Sequence, residues 1–195
     1  MNQDPWECLI SFICSSNSNI SRISGVMNRI AQEFGDQVTL GSRVGFQFPG
    51  PKVLASVGEV GYRTLRLGYR AEYVDKTSKF LADTETDLND LKSLSYPEAK
   101  AWLMTLPGVG AKVADCVLLF SLDKLEAFPI DVWVRRAIEE WYFNGEHLSY
   151  IKLVEWATEY FGPYAGYAQQ YLFHHRRTGE FSGTPYYMSP EQWND

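Results

Sequence analysis

The chain has 195 residues, with 24 acidic against 18 basic side chains for a net charge of −6, and is 45% apolar and 15% aromatic. That composition supplies a sizeable core for one domain or two small subdomains and excludes a long disordered polypeptide. No apolar run reaches the roughly 20 residues that span a bilayer, the start Met1-Asn2-Gln3-Asp4-Pro5 lacks a signal-peptide pattern, and Cys8, Cys14 and Cys116 lack the spacing of a disulfide scaffold, zinc finger or four-Cys iron–sulfur cluster. An intracellular protein without membrane contact is expected.

The pattern is helical almost throughout, with Pro and Gly as punctuation, so an all-α class is predicted. Asp4-Pro5 opens a first helix as N-cap and N1, with Trp6, Leu9, Ile10 and Ile13 on one face. The polar run Ser15-Ser16-Asn17-Ser18-Asn19 stops it and caps a second helix, Ile20 to Phe34, closed by Gly35. Residues 36–52, rich in Gly and Pro, predict the longest loop. Short helices are expected around Ser56 to Leu67, and a longer one at Tyr69 to Leu81. Ser95 and Glu98 form a capping box that opens a helix through Trp102 and Met104. Helices Ala111 to Leu122, Val132 to Phe143, one capped by Ser149 and running to Tyr160, and Ala165 to Arg177 complete the series. An irregular tail, 178–195, is expected beyond a domain of residues 1–177.

The net charge hides a local reversal. Between Lys52 and Lys79 six basic residues stand against three acidic ones, whereas from Asp83 to Glu98 five acids face only Lys92. A partner held by bulk positive charge is disfavoured, and one held by a local stripe is not.

The most informative segment is Leu106-Pro107-Gly108-Val109-Gly110, which joins two helices through a tight turn. With no side chains at Gly108 and Gly110, backbone N–H groups around Gly108, Val109 and Gly110 and at the start of the next helix can approach an anion, and the helix dipole favours negative charge there. A phosphodiester fits, as does an ordinary αα-hairpin. Lys112 sits in the first turn of the following helix, opposing the dipole beside apolar side chains, with Cys116 one turn away on its own face. Both effects disfavour the ammonium and favour the free amine, the nucleophilic form. Asp131, between Pro129 and Val132, lies where a helix begins; its carboxylate can deprotonate an amine or offset developing positive charge.

Residues 106–116 (Leu-Pro-Gly-Val-Gly-Ala-Lys-Val-Ala-Asp-Cys) followed by Pro129-Ile130-Asp131-Val132 resemble the helix-hairpin-helix superfamily of DNA glycosylases, in which Lys with Asp marks bifunctional glycosylase/lyases. The segment from Gln3 to Asn17, Leu67-Gly68-Tyr69-Arg70-Ala71-Glu72-Tyr73, and the segment from Gly162 to Phe173 are similar to the 8-oxoguanine DNA glycosylase family. The resemblance spans roughly residues 3–175. It implies two small helical subdomains flanking a cleft, and a monomer acting on double-stranded DNA that contains oxidised guanine, with cytosine preferred opposite the lesion.

The resemblance also implies roles. Lys112 attacks C1′ of a flipped nucleotide and Asp131 assists. Cys116 and Phe173 sandwich the base, and Gln169 reads its Watson–Crick edge. Asn17 fills the vacated stack, Arg22 and Arg70 donate to the opposite base, and Tyr69 wedges beside it. No cofactor is required, with room for a monovalent or divalent cation at the hairpin and no metal site. Two departures stand out. Trp133 replaces a phosphate-contacting His of the family pattern, leaving Arg135 or Arg136 as substitutes, and the sequence starts at what would be the first helix after the family's N-terminal β-rich domain. A DNA-binding module or split-enzyme subunit whose pocket a partner completes therefore stays open beside the glycosylase/lyase, as does a glycosylase for alkylated bases that relies on the aspartate alone.

Overall fold

The computed structural model describes residues 2–178; the expected irregular tail thus lies outside the described residues from Gly179 onward. Contacts divide the chain into two compact units, one ending at Leu122 and the other beginning at Asp123.

The first unit contains α1 (Pro5–Ser15), α2 (Ile20–Phe34), β1 (Gln37–Leu40), β2 (Arg43–Phe46), α3 (Pro51–Ala55), α4 (Gly58–Thr64), α5 (Arg70–Thr84), a 3₁₀ turn at Leu88–Ser93, α6 (Tyr96–Leu103) and α7 (Ala111–Ser121). Local chemistry sets the helix starts. Asp4 accepts the Glu7 N–H at 2.8 Å and Asn19 the Arg22 N–H at 2.9 Å, each satisfying one otherwise orphaned donor. The capping box forms, with Glu98 accepting from the Ser95 N–H at 3.0 Å. α1 packs on α7, α2 and α5, and α3 and α4 pack on α5. Leu9, Ile10, Ile13, Ile30, Leu54, Leu81, Leu103, Leu118 and Leu119 fill the core between them.

The expected long loop is instead a β-hairpin. β1 and β2 pair antiparallel, Val38 opposite Gly45 and Thr39 opposite Val44, around Gly41 in a left-handed conformation (φ 59°). Gly35 does close α2, but its φ is −94°. Close approach, rather than left-handed backbone, requires glycine there, because an added Cβ would meet the Gln47 carbonyl oxygen at 1.9 Å.

The second unit contains α8 (Val132–Tyr142), α9 (Tyr150–Phe161), a 3₁₀ turn at Gly162–Tyr164 and α10 (Ala165–Thr178). Phe128, Val134, Ile138, Leu153 and Ala157 form its centre, and Phe128 stacks on Phe161 with ring centroids 5.8 Å apart. Among the described residues, no helix is long and apolar enough to cross a membrane.

Candidate active site

In the first unit the turn between α6 and α7 is built as a rigid seat. Gly108 adopts φ 79° against the Tyr73 side chain, Thr77 Oγ1 donates to the Pro107 carbonyl at 3.2 Å, and the Val109 N–H donates to the Leu106 carbonyl at 3.1 Å while its side chain is buried. The Val109 amide is therefore spent inside the turn. By contrast Gly110, the N-cap of α7, offers no side chain to the first-turn N–H groups, and these remain available to an anion, with the dipole's positive end behind them.

Behind the turn, α6 and α7 are tied by charge. The Asp115 carboxylate, fully buried, meets Lys100 Nζ at 2.8–2.9 Å and accepts from the Tyr96 hydroxyl at 2.8 Å. Removing one partner of such a buried pair costs about 3–5 kcal/mol, so this network fixes how α7 presents its first turn.

Lys112 is half-buried there, its Nζ 5.1 Å from the Phe12 ring centroid, and Phe12 itself packs on Phe120. The aromatic face orients the amine without exchanging a proton with it. Cys116, one turn on, is buried.

The loop after α1 is clamped from α5. Arg70, 5% exposed, donates through Nε to the Ser16 carbonyl at 2.8 Å and through Nη2 to the carbonyls of Ser16 and of Asn17, the latter at 2.9 Å. Asn17 is exposed with φ 48°, a conformation that asparagine tolerates better than most residues. Tyr69 is 48% exposed, lies under the Arg70 guanidinium at 4.5 Å and donates to the Ser16 carbonyl at 3.2 Å. Asn17, Tyr69 and Arg70 are thus brought together. Arg22 is exposed, and among the described residues no hydrogen bond joins its side chain to that group.

In the second unit Asp131 is the N-cap of α8, accepting the Val134 N–H at 2.8 Å through Oδ1, which satisfies one otherwise orphaned donor of that helix. Gln169 is buried, its Nε2 donating to the Pro129 carbonyl at 2.9 Å and its Oε1 accepting from Gln170. Its amide therefore braces the segment leading to Asp131. Phe173 is partly buried against the second core. Trp133 is 44% exposed in the first turn of α8; Arg135 is engaged with Glu139 at 3.0 Å and the Leu148 carbonyl at 2.6 Å, whereas Arg136 is exposed. Among the described residues, no group of three or more His, Cys, Asp or Glu is arranged to hold a metal ion.

A glycine turn feeding an uncapped helix with a lysine in its first turn, and an aspartate capping a later helix, fit a known pattern, and the profile of HhH-GPD superfamily base excision DNA repair proteins matches residues 10–162. The chain belongs to the HhH-GPD superfamily. It is similar to a probable N-glycosylase/DNA lyase of Methanothermobacter thermautotrophicus, 36% identical over 91% of this chain and 62% of that protein. An N-glycosylase/DNA lyase of Arabidopsis thaliana is 38% identical over 89% of this chain and 50% of its own length. Among solved structures, the 8-oxoguanine glycosylase/lyase of Clostridium acetobutylicum, in complex with duplex DNA containing cytosine opposite 8-oxoguanine, superposes with a TM-score of 0.87 at 35% identity, covering 93% of this chain and 62% of that one. This HhH-GPD chain thus spans about half to three-fifths of the length of these relatives.

Three features of this HhH-GPD chain escaped the sequence reading. Phe12 under Lys112 had a faint signal, one aromatic off the apolar face of α1. The Lys100–Asp115–Tyr96 network had none, because its partners lie 15 and 19 residues apart across a turn. The internal bonding of Arg70 and Gln169 follows from packing alone.

Proposed function

We propose that this protein is a bifunctional DNA glycosylase/lyase that removes 8-oxoguanine from duplex DNA, preferring cytosine opposite the lesion. The observation that carries the reading is Lys112, a half-buried amine held on an aromatic ring in the first turn of a helix whose N-terminus has no side-chain cap. Phosphate binding needs only the turn; an amine oriented beside it suits nucleophilic catalysis.

In the proposed reaction, residues 1–177 form the glycosylase domain and act as a monomer inside the cell. The open N–H groups at Gly110 and the start of α7 hold a phosphate, together with Gly108, while Val109 contributes by locking the turn. The damaged nucleotide leaves the stack because C1′ is inaccessible within it. The Lys112 ammonium gives a proton to Asp131 and the freed lone pair forms a bond to C1′; the C1′–N9 bond breaks, its electron pair leaving with the purine, which takes the proton back from Asp131. A proton on the C1′-bound nitrogen then passes to O4′ as the C1′–O4′ bond breaks, giving the protonated Schiff base, and loss of a C2′ proton to water expels the 3′ phosphate with the C3′–O electron pair. The Asp131 carboxylate also offsets positive charge that develops on the sugar, the kind of transition-state stabilisation that dominates many enzymes.

Cys116, on the Lys112 face of α7, and Phe173 are assigned to the two sides of the extruded base. Gln169 is assigned to its edge, a role that requires the amide to exchange the Pro129 carbonyl for the base on binding. Arg22 is assigned as the direct donor to the opposite base. Arg70, whose donors are spent on loop carbonyls, is assigned as a positioning residue that presents Asn17, with Tyr69 as the wedge. This chemistry asks for no cofactor, and a monovalent or divalent cation at the hairpin would serve only to balance phosphate charge.

The test is single-turnover release of 8-oxoguanine from duplexes with each of the four bases opposite. Fastest release opposite cytosine is expected. Equal rates opposite cytosine and adenine would refute the opposite-base assignment, and no release from any duplex would refute the lesion assignment.

A further inference from the structure

Three arginines of the first unit converge where the repair chemistry described above does not use them together. Ser21, Arg22, Gly25 and Arg29 follow one face of α2, and Arg66, immediately after α4 and its cap residue Leu65, completes with them the lining of a depression of about 340 Å³. Arg29 is fixed in place: its Nε and Nη2 both donate to the Leu65 carbonyl at 3.2 Å. The missing side chain at Gly25 gives it room, since an added Cβ would stand 3.3 Å from Nη1. Among the described residues, Nη1 donates to no partner.

Arg66 is held in a left-handed conformation, φ 67°, which is disfavoured for a residue with a Cβ. Such strain persists where surrounding structure enforces it and clusters at functional sites. Among the described residues, the side chains of Arg22 and Arg66 make no hydrogen bond or ion pair, and no carboxylate lines the depression. Elsewhere in the same chain arginines are neutralised at close range, Arg63 by Glu59 at 2.6 Å and Arg176 by Glu140 at 2.7 Å. In a protein of net charge −6, three unneutralised guanidiniums sharing one concavity make a site for an anion with several acceptor oxygens.

We propose that this depression seats a backbone phosphate of the DNA strand opposite the lesion, gripped by Arg29 and Arg66, with Arg22 at its edge turned between that phosphate and the opposite base. The proposal rests on the glycosylase/lyase reading for the identity of the strand. Arg22 supplies the link: it is the residue assigned to the opposite base and it lines the depression, so the phosphate that reaches the pocket belongs to the strand carrying that base.

The deciding variant is Arg66→Gly, because glycine adopts φ 67° freely and the melting temperature should hold while one positive charge is lost. Binding is measured against salt, using a duplex with a non-cleavable abasic analogue opposite cytosine, and opposite-strand linkages are replaced one at a time by neutral methylphosphonate. We expect the slope of log K against log salt to be shallower by about 0.9 in Arg66→Gly, the signature of one lost phosphate contact. One opposite-strand methylphosphonate should weaken the parent clearly more than the variant, which keeps only Arg29 and Arg22 at that phosphate. Coincident slopes, or coupling of Arg66 to a lesion-strand linkage instead, would overturn the proposal. So would an Arg66-dependent stabilisation by inorganic phosphate with no effect on duplex binding, which would assign the pocket to free anions. Borohydride trapping on the same proteins separates the two claims: trapping with coincident slopes sinks the pocket alone, and a slope difference without trapping sinks the lyase reading alone.

Discussion

Replacing Gly108 by alanine should cripple the seat of the hairpin, and the size of the effect follows from its surroundings. An alanine at φ 79° bears about 1 kcal/mol of left-handed strain. Its Cβ would also stand 2.7 Å from Tyr73 Cγ and 2.8 Å from Tyr73 Cβ and Cδ2. These atoms are the root of the ring, so no rotation of the tyrosine relieves the clash; α5 or the turn must shift, at a typical overpacking cost of about 1–3 kcal/mol. The sum, about 2–4 kcal/mol, lowers Tm by on the order of 10 °C for a chain of this size. Gly110 is the internal control. At φ −93° with nothing within 4 Å of an added Cβ, Gly110→Ala should cost less than about 1 kcal/mol as a weaker N-cap, while its methyl group intrudes on the space assigned to a phosphate and weakens DNA binding. Thermal melting beside duplex binding reads both. A Gly108→Ala protein that melts with the parent, or a Gly110→Ala protein that melts far below it, would refute this account of the turn.

Asp131→Asn should melt close to the parent, since asparagine caps helices as well as aspartate, while single-turnover excision falls by 100-fold or more, as removal of one transition-state charge does elsewhere; parental rates would remove Asp131 from the chemistry. Arg22→Ala should flatten the preference for cytosine over adenine at unchanged Tm, whereas Arg70→Ala should flatten it and also lose about 1–3 kcal/mol of stability through the carbonyls left unpaired; a selective loss without destabilisation in Arg70→Ala would make that residue a direct base contact. Burial pushes the thiols of Cys8 and Cys14 and the phenol of Tyr62 up to about 12. Below the unfolded values near 9 and 10 these groups are neutral in both states, and above them the unfolded chain ionises first, so stability should be full below about pH 9 and fall progressively toward pH 12. A Tm constant across that range would contradict their burial.

Much of the arrangement was legible in the order of residues because it is local. Helix starts at Asp4-Pro5, Asn19, Ser95, Asp131 and Ser149 depend on a side chain three residues from the amide it caps, and the 106–110 turn depends on glycines within the turn itself. The β-hairpin was missed for a physical reason: every residue of β1 is exposed, so no alternation between core and solvent marks it, and the surrounding Gly and Pro read as loop. Side-chain bonding between distant segments was equally illegible. Arg70 and Gln169 have the residue types expected of base readers, yet both spend donors on backbone carbonyls far along the chain, which only the packing of α5 and α10 reveals. The strain at Arg66 likewise arises from how α4 ends, and an arginine there gives no sign of it.

The central claim is that the Lys112 amine becomes covalently joined to DNA, and borohydride trapping addresses it most directly. A duplex carrying 8-oxoguanine opposite cytosine is incubated with the parent chain or with Lys112→Gln in the presence of borohydride, and the cross-linked species is resolved by denaturing electrophoresis beside a measurement of duplex binding. The parent should yield a stable protein–DNA adduct, and Lys112→Gln should yield none while still binding the duplex. An undiminished adduct in Lys112→Gln, or no adduct from a parent protein that binds the duplex, would contradict the account.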